Sequence, residues 1–406
     1  MIRINSKYIF PGASDVILNG SILVKNGKIQ FIGAAKECPN KSYYRVFDYP
    51  NHLIIPGLVN SHTHLSLSKL KNVFKSGMNF PDWINAIILY NNNLEEKDEK
   101  EAIKDGIREM IDTGTTTAGD ISRNGFSLGV MKKMGLRGMV FYEVTGFKRS
   151  MEEQHLNRIH KFQAKLEKNN LVEYGISPHS PYSVSPQLIK TTFSIAKKNK
   201  LSLAIHIAET KEECKFIAEG KGPFRKLLQD LGKWEKEWEP KKMTPIKYLS
   251  DLGVLKGITG IHLNYINNDD LEIIQKNNLS VVYCPKSNQW FHRKDPYPLM
   301  KLLEKGINVA IGTDSLASNE NLNMFEEMIL IKKQFPQIKN ETLLQMATIN
   351  GAKALGLANK TGSLEAGKEA DLIGLKMNNP GDIYKTIFES KGNIVFSMVG
   401  GNFILP

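Results

Sequence analysis

The sequence predicts an α/β chain: a (β/α)8 TIM barrel with a small β-sandwich domain built from both chain termini. Three observations carry that prediction. Eight short apolar, β-branched runs occupy the middle of the chain, and amphipathic stretches of helical length separate most of them. Both ends are instead rich in short alternating strands. Residues capable of metal chemistry follow the C-terminal ends of the middle runs, which is where barrel active sites sit.

At the N-terminus, Ile22-Leu23-Val24 leads into Asn26-Gly27, a hairpin signal, and then Lys28–Gly33. The expected barrel strands are Leu53–Val59, Thr115–Ile121, Arg137–Val144, Val172–Ser177, Ser202–Ile207, Ile258–His262, Ser280–Tyr283 and Asn308–Ile311. Their continuous apolar character suits strands covered on both faces. Glu99–Asp112 and Gln187–Lys200 exemplify the helices between them. A doubly wound open sheet is the alternative, but no GxGxxG follows the first strand. Gly362–Ile373 and Ile394–Gly401 return to β character. Chain ends are often close in space, so residues 1–54 and 361–406 are expected to form the small domain and 55–360 the barrel. The insertion-like segment Gly220–Pro245, with Trp234 and Trp238, reads equally as a cap over the barrel mouth or as surface elaboration.

The 406 residues are 41% hydrophobic and 24% charged, a globular balance that speaks against disorder. No apolar run approaches the roughly 18 residues that span a bilayer, and MIRINSKYIF has no signal-peptide core. Cys38, Cys214 and Cys284 are sparse and odd in number, which fits a reducing cytoplasm. The net charge of +12 is spread over Lys-rich helical stretches interleaved with Glu. It forms no compact basic stripe, so nucleic acid is not the expected partner; a weaker reading is attraction of an anionic substrate. A small molecule is the expected ligand, with no membrane partner and a homodimer left open.

His62 and His64 stand at i and i+2, on one side of a strand's end, where both imidazoles can hold one metal ion. A solvated strand can carry such a pair by chance, so the other strand ends matter. His179 follows strand 4, His206 and Glu209 lie on and after strand 5, His262 ends strand 6, and Asp314 follows strand 8. His62, His64, His206 and Asp314 form a chemically sensible ligand set for one divalent metal, with a position left for a water whose pKa falls toward neutrality. Glu209 is placed to move that water's proton, and His262 to stabilise a developing tetrahedral centre. His179 is placed to read a substrate nitrogen or oxygen. The bland alternatives are a helix cap for Glu209 and a turn for Asp314. His52, His155, His160 and His292 carry no positional argument. The chain lacks HExxH, GxSxG, a P-loop and the HxE/PCxxC pair of cytidine-type deaminases.

These residues resemble the amidohydrolase superfamily over essentially the whole chain. Pro56–His64 is similar to its first-strand signature and Gly362–Ile373 to its closing β signature. Ser177–Tyr182, His206–Thr210, Cys284–Asn288 and Gly312–Asn319 are similar to the mononuclear branch, which includes S-adenosylhomocysteine/methylthioadenosine deaminases, aminofutalosine deaminases, guanine deaminases and s-triazine chlorohydrolases. Strand 4 offers no lysine for carboxylation, which favours one metal over two. The resemblance implies zinc, or iron, on His62, His64, His206 and Asp314. It implies proton transfer by Glu209 and His262, with Asp314 also in the catalytic set, and substrate contacts from His179, Trp83 and Ser315. The chain departs from the pattern in two places. Asn92 stands where adenine-nucleoside deaminases often have a ribose-binding glutamate, and Leu65–Ser68 lacks the acid usual in aminofutalosine deaminases.

The expected activity is hydrolytic deamination at the 6-amino group of an adenine-type nucleoside: aminofutalosine, S-adenosylhomocysteine, methylthioadenosine or adenosine. A triazine chlorohydrolase or aminohydrolase, or a guanine-type deaminase, is the alternative. A catalytically dead scaffold would show a gap among the ligands, and none is present. Arg123, Arg149 and Arg293 are candidates to meet a substrate carboxylate.

Overall fold

Strands from the two ends of the chain pair with each other. The computed structural model describes residues 1–12, 15–39, 44–164, 170–377 and 382–405. The N-terminal strands are β1 (Ile2–Ile9), β2 (Ile17–Lys25), β3 (Lys28–Ala34) and β4 (Arg45–Pro56). The barrel strands are β5 (Leu58–Thr63), β6 (Thr115–Ser122), β7 (Arg137–Val144), β8 (Val172–Pro178), β9 (Ser202–Ile207), β10 (Thr259–His262), β11 (Ser280–Tyr283) and β12 (Asn308–Ile311). The closing strands are β13 (Leu372–Lys376), β14 (Ile394–Val399) and β15 (Asn402–Leu405).

The terminal strands form a seven-stranded mixed sheet, ordered β15-β14-β13-β4-β1-β2-β3. Asn26 and Gly27 join β2 to β3 with φ of +50° and +81°, the pair of positive values that a type I′ hairpin turn requires. The sheet curls on itself: Gly27 at this turn packs against Gly400 at the β14–β15 turn. Ile4, Ile22, Ile54, Leu372 and Phe396 from its two halves then share one buried cluster.

The barrel strands run parallel in the order of the chain, β5 to β12. Closure comes from a bridge between Thr63 and Asp314, the Asp314 amide donating to His62 O at 3.1 Å, and paired Asn60–Thr313 hydrogen bonds of 2.7 and 3.1 Å. Val59, Ile121, Met139, Phe141, Ala204, Ile261, Val282 and Ala310 fill the interior, as alternate residues of barrel strands do.

One expected element is divided. Leu53–Val59 does not form a single barrel strand. Leu53–Pro56 completes β4 and pairs with β13, while Leu58 starts β5 and pairs with β6. Gly57 lies at the break, and a Cβ there would run into the Thr116 side chain. The other seven barrel strands lie where the apolar runs place them, with ends displaced by at most one residue.

The first seven α-helices are α1 (Phe80–Asn92), α2 (Glu96–Asp112), α3 (Phe126–Met134), α4 (Glu152–Ala164), α5 (Pro186–Lys198), α6 (Lys211–Glu219) and α7 (Pro223–Asp230). Local chemistry starts them. Ser185 accepts from Leu188 N, with Pro186 in the first turn of α5, and Thr210 caps α6. Buried Arg137 on β7 ties the two parts together through Asp371 and Glu369. Removing one partner of such a buried pair costs about 3–5 kcal/mol. Among the described residues, no helix is long and apolar enough to cross a membrane.

Candidate active site

The C-terminal ends of the barrel strands bring His62, His64, His206 and Asp314 together. One ligand-type nitrogen from each of the three histidines lies within 4.8 Å of the others. Asp314 Oδ1 is 3.6 Å from His62 Nε2 and 3.9 Å from His64 Nε2. His64 Nε2 and His206 Nε2 stand 3.3 Å apart. Burial, reinforced by neighbouring imidazoles, keeps His64 neutral with its pKa lowered to about 3 and holds His206 and His262 well below the usual range. Neutral imidazole is the metal-binding form.

Each side chain is oriented by neighbours. His206 Nδ1 lies 2.9 Å from His179 O, so it donates there and leaves Nε2 as the ligand atom. Asp314 Oδ2 accepts from Ser287 Oγ at 2.7 Å and Ser318 Oγ at 3.2 Å, which aims Oδ1 at the histidines. Burial raises the Asp314 carboxyl, but His62 and the other imidazoles outweigh burial and hold it well below its ordinary range. Asp120 brackets His64, accepting from Thr63 Oγ1 at 3.1 Å and from Leu65 N at 2.8 Å. Buried His62 has no partner for either ring nitrogen among the described residues. An orphaned buried imidazole beside two others and a carboxylate is a donor set that fits a divalent metal ion.

Glu209 follows β9 and does not cap α6, since Thr210 does that. Glu213 instead accepts from Ala208 N at 2.9 Å and Glu209 N at 2.8 Å, fixing the turn. Arg293 donates to Glu209 Oε1 at 2.9 Å and Glu209 O at 2.6 Å. Glu209 Oε2 lies 3.8 Å from His262 Nε2. Burial pushes the Glu209 carboxyl up to about 8, against the pull of Arg293. Four non-glycine residues around this floor have positive φ: Ala208 (+49°), His262 (+74°), Leu263 (+53°) and Asp314 (+60°). Such conformations cost of order 1–3 kcal/mol each and persist where the surroundings over-determine them.

A cavity of about 680 Å³ opens from this floor. His179, Trp83, His206, Glu209, His262 and Asp314 all line it. His179 Nδ1 is 2.7 Å from Ser183 Oγ, which leaves Nε2 unengaged. Trp83 donates from Nε1 to Ala317 O at 3.0 Å and shows part of its ring to the space. Ser315 corrects the expectation. Its amide donates to Asp314 Oδ1 at 2.8 Å and its hydroxyl faces Ser318, so it stands behind the ligand and off the cavity lining. The positive φ of Asp314 turns the chain away at that point.

The arginine candidates separate. Arg293 is occupied by Glu209. Arg149 lines a different groove beside Glu235 and Trp238. Arg123 does line the cavity, with Nη1 donating to Asn91 O at 2.8 Å. Of the two readings of segment 220–245, the structure favours the cap: Leu227, Leu228, Leu231 and Lys233 wall the mouth. Phe224 of α7 stacks on Tyr182 at 3.8 Å. Trp234 and Trp238 pack on Phe147 and Phe216 instead of entering the cavity.

Sequence reasoning passed over Asp120, Glu143, Arg158 and Glu213, set His155 aside, and included Ser287 only within the stretch Cys284–Asn288. Asp120 and Glu143 stand near the ends of apolar runs, the signal that found the histidines. Thr210-x-x-Glu213 has capping-box spacing.

Residues 53–404 match the amidohydrolase family. The 5-methylthioadenosine/S-adenosylhomocysteine deaminase of Pyrococcus furiosus is 31% identical over 393 residues, covering 93% of this chain and 87% of the relative. Two solved structures share the fold. Helicobacter pylori aminofutalosine deaminase, in complex with methylthio-coformycin, superposes with a TM-score of 0.87 at 22% identity, covering 99% of this chain and 100% of that one. An adenosine deaminase from Xanthomonas campestris with bound zinc gives a TM-score of 0.86 at 22% identity, with 99% and 92% coverage.

Proposed function

The chain belongs to the amidohydrolase family, and from that premise we propose that it is a hydrolytic deaminase releasing ammonia from the 6-amino group of an adenine-type nucleoside. One observation carries the reading: His62, His64, His206 and Asp314 converge on the cavity floor with Glu209 and His262 beside them. The relative from Pyrococcus furiosus, a deaminase of such nucleosides by name, supports the substrate class.

We assign zinc, with iron as the alternative, to His62, His64, His206 and Asp314. When bound there, the ion supplies Lewis acidity and lowers the pKa of a water toward neutrality. Glu209 takes a proton from the attacking water and delivers it to the ring nitrogen beside the amino-bearing carbon; it then carries the second proton of that oxygen to the amino group, which leaves as ammonia as the C–N bond breaks. Its burial keeps its proton affinity close to that needed at neutral pH. Arg293 holds Oε1, so Oε2 is the atom that exchanges the proton. His262 hydrogen-bonds the oxygen added to the ring as charge builds there. His179, tied at Nδ1 by Ser183, offers Nε2 to a ring nitrogen. The apolar wall of Trp83, Ile87, Leu227 and Leu228 takes the face of the ring and excludes bulk water.

The test is ammonia release by metal-loaded protein from adenosine, 5′-deoxyadenosine, 5′-methylthioadenosine, S-adenosylhomocysteine and aminofutalosine. Turnover of at least one is expected. Release from none of them overturns the proposal.

A further inference from the structure

Glu143 ends the inward-facing row of β7. Met139 and Phe141 of this strand point into the barrel interior. The two-residue period places Glu143 one layer higher, in the mouth, where it lines the main cavity. Its carboxylate makes no hydrogen bond or ion pair with any described residue. Arg123, whose charge reaches it, spends a hydrogen bond on Asn91 O and stands 3.8 Å from Glu99. Burial pushes the Glu143 carboxyl up to about 7, with Arg123 and His62 pulling it down.

An ionised carboxylate only accepts hydrogen bonds. Glu143 is half-buried, lines the cavity and has no donor among the described residues, so in its ionised form its complement is a donor brought by the ligand. An adenine-type nucleoside offers few. Its unsubstituted ring nitrogens accept, and its 6-amino group is consumed at the floor. The sugar hydroxyls common to these nucleosides are the remaining donors.

We propose that Glu143 is a specificity-determining residue that accepts hydrogen bonds from the vicinal hydroxyls of the substrate's ribose. This assignment rests on the deaminase reading above. It makes the β7 end the place where the sugar is read, while the β5, β9, β10 and β12 ends handle the base.

The test compares adenosine with 2′,3′-dideoxyadenosine on the metal-loaded wild type, Glu143→Gln and Glu143→Ala. Metal content and circular dichroism establish that the variants are folded. The wild type is expected to favour adenosine by roughly 10- to 100-fold in kcat/KM, the range of hydrogen bonds to a charged group, chiefly through KM. Glu143→Ala is expected to narrow that preference to within about 3-fold by losing adenosine turnover alone, with Glu143→Gln in between. An unchanged preference, or an equal fall for both nucleosides, overturns the assignment. If the wild type deaminates neither, the functional reading fails separately. Glu143 is then judged from calorimetric binding of the same two nucleosides. Tighter adenosine binding that Glu143→Ala abolishes supports it; equal affinities overturn it.

Discussion

The floor and the outer wall of the cavity are held in different ways. On the floor, Asp314 is fixed by Ser287 and Ser318, His206 by His179 O, and Glu209 by Arg293. The exception is His62, whose ring nitrogens have no partner among the described residues, and that is where the proposed metal enters. Along the wall Trp83 and Arg123 are paired, but other polar groups are not. Glu143 has no partner, and His155 Nε2 and Tyr182 Oη are buried without one among the described residues. The floor sits on strand ends, while much of the wall comes from α1, α4 and the segment around α7. The difference teaches that chemistry is preorganised by the protein, whereas the choice of substrate is left to groups that wait for a partner.

If the floor does the chemistry, Glu209→Gln removes the proton carrier and keeps the side chain's shape. Activity is expected to fall by about 10²- to 10⁴-fold, with metal content by elemental analysis unchanged. Retained turnover in a metal-replete variant removes Glu209 from the mechanism.

The next contrast concerns support for the ligands. Asp120 contacts no other residue of the proposed ligand set by hydrogen bond, but it grips both neighbours of His64. Asp120→Ala is expected to weaken zinc affinity by about 10- to 100-fold, as losses of outer supports do, measured by competition with a chelator. Unchanged affinity shows that β5 alone aims His64.

The smallest effect on catalysis is expected on the wall. Phe224→Ala removes the ring stacked on Tyr182 and loosens α7. It is expected to cost about 3–5 kcal/mol of stability, read by denaturant melting. KM is expected to rise several-fold, roughly the effect of 1 kcal/mol, with kcat nearly unchanged. A fall in kcat at constant KM means that α7 serves the floor.

Much of the floor was legible because histidine is rare and its chemistry narrow, so five strand-end histidines stood out from the nine in the chain. Glu143 and Asp120 carried the same positional signal, but an acid at a strand end reads as readily as a turn residue. Ser287 lay within the stretch Cys284–Asn288, but its role was hidden because its hydrogen bond to Asp314 crosses from the short helix Pro285–Trp290 to the segment after β12. The β4–β5 break falls at Pro56-Gly57, between two buried apolar stretches that read as one strand, although the first pairs with β13 and the second with β6.

By itself the sequence pointed to the barrel, to the pairing of its ends and to the histidines that the fold brings together. Those properties follow from local periodicity, hairpin chemistry and side-chain type, each readable over a few positions. Only the tertiary structure decided which oxygen of Asp314 faces the histidines, that Arg293 belongs to Glu209, that Ser315 stands behind Asp314, and that Glu143 has no hydrogen-bond partner among the described residues. Those outcomes depend on closure of β12 onto β5 and on contacts between the segments that follow separate strands, such as Arg293 with Glu209. Such contacts join residues distant along the chain, and packing geometry selects them where no short sequence pattern can.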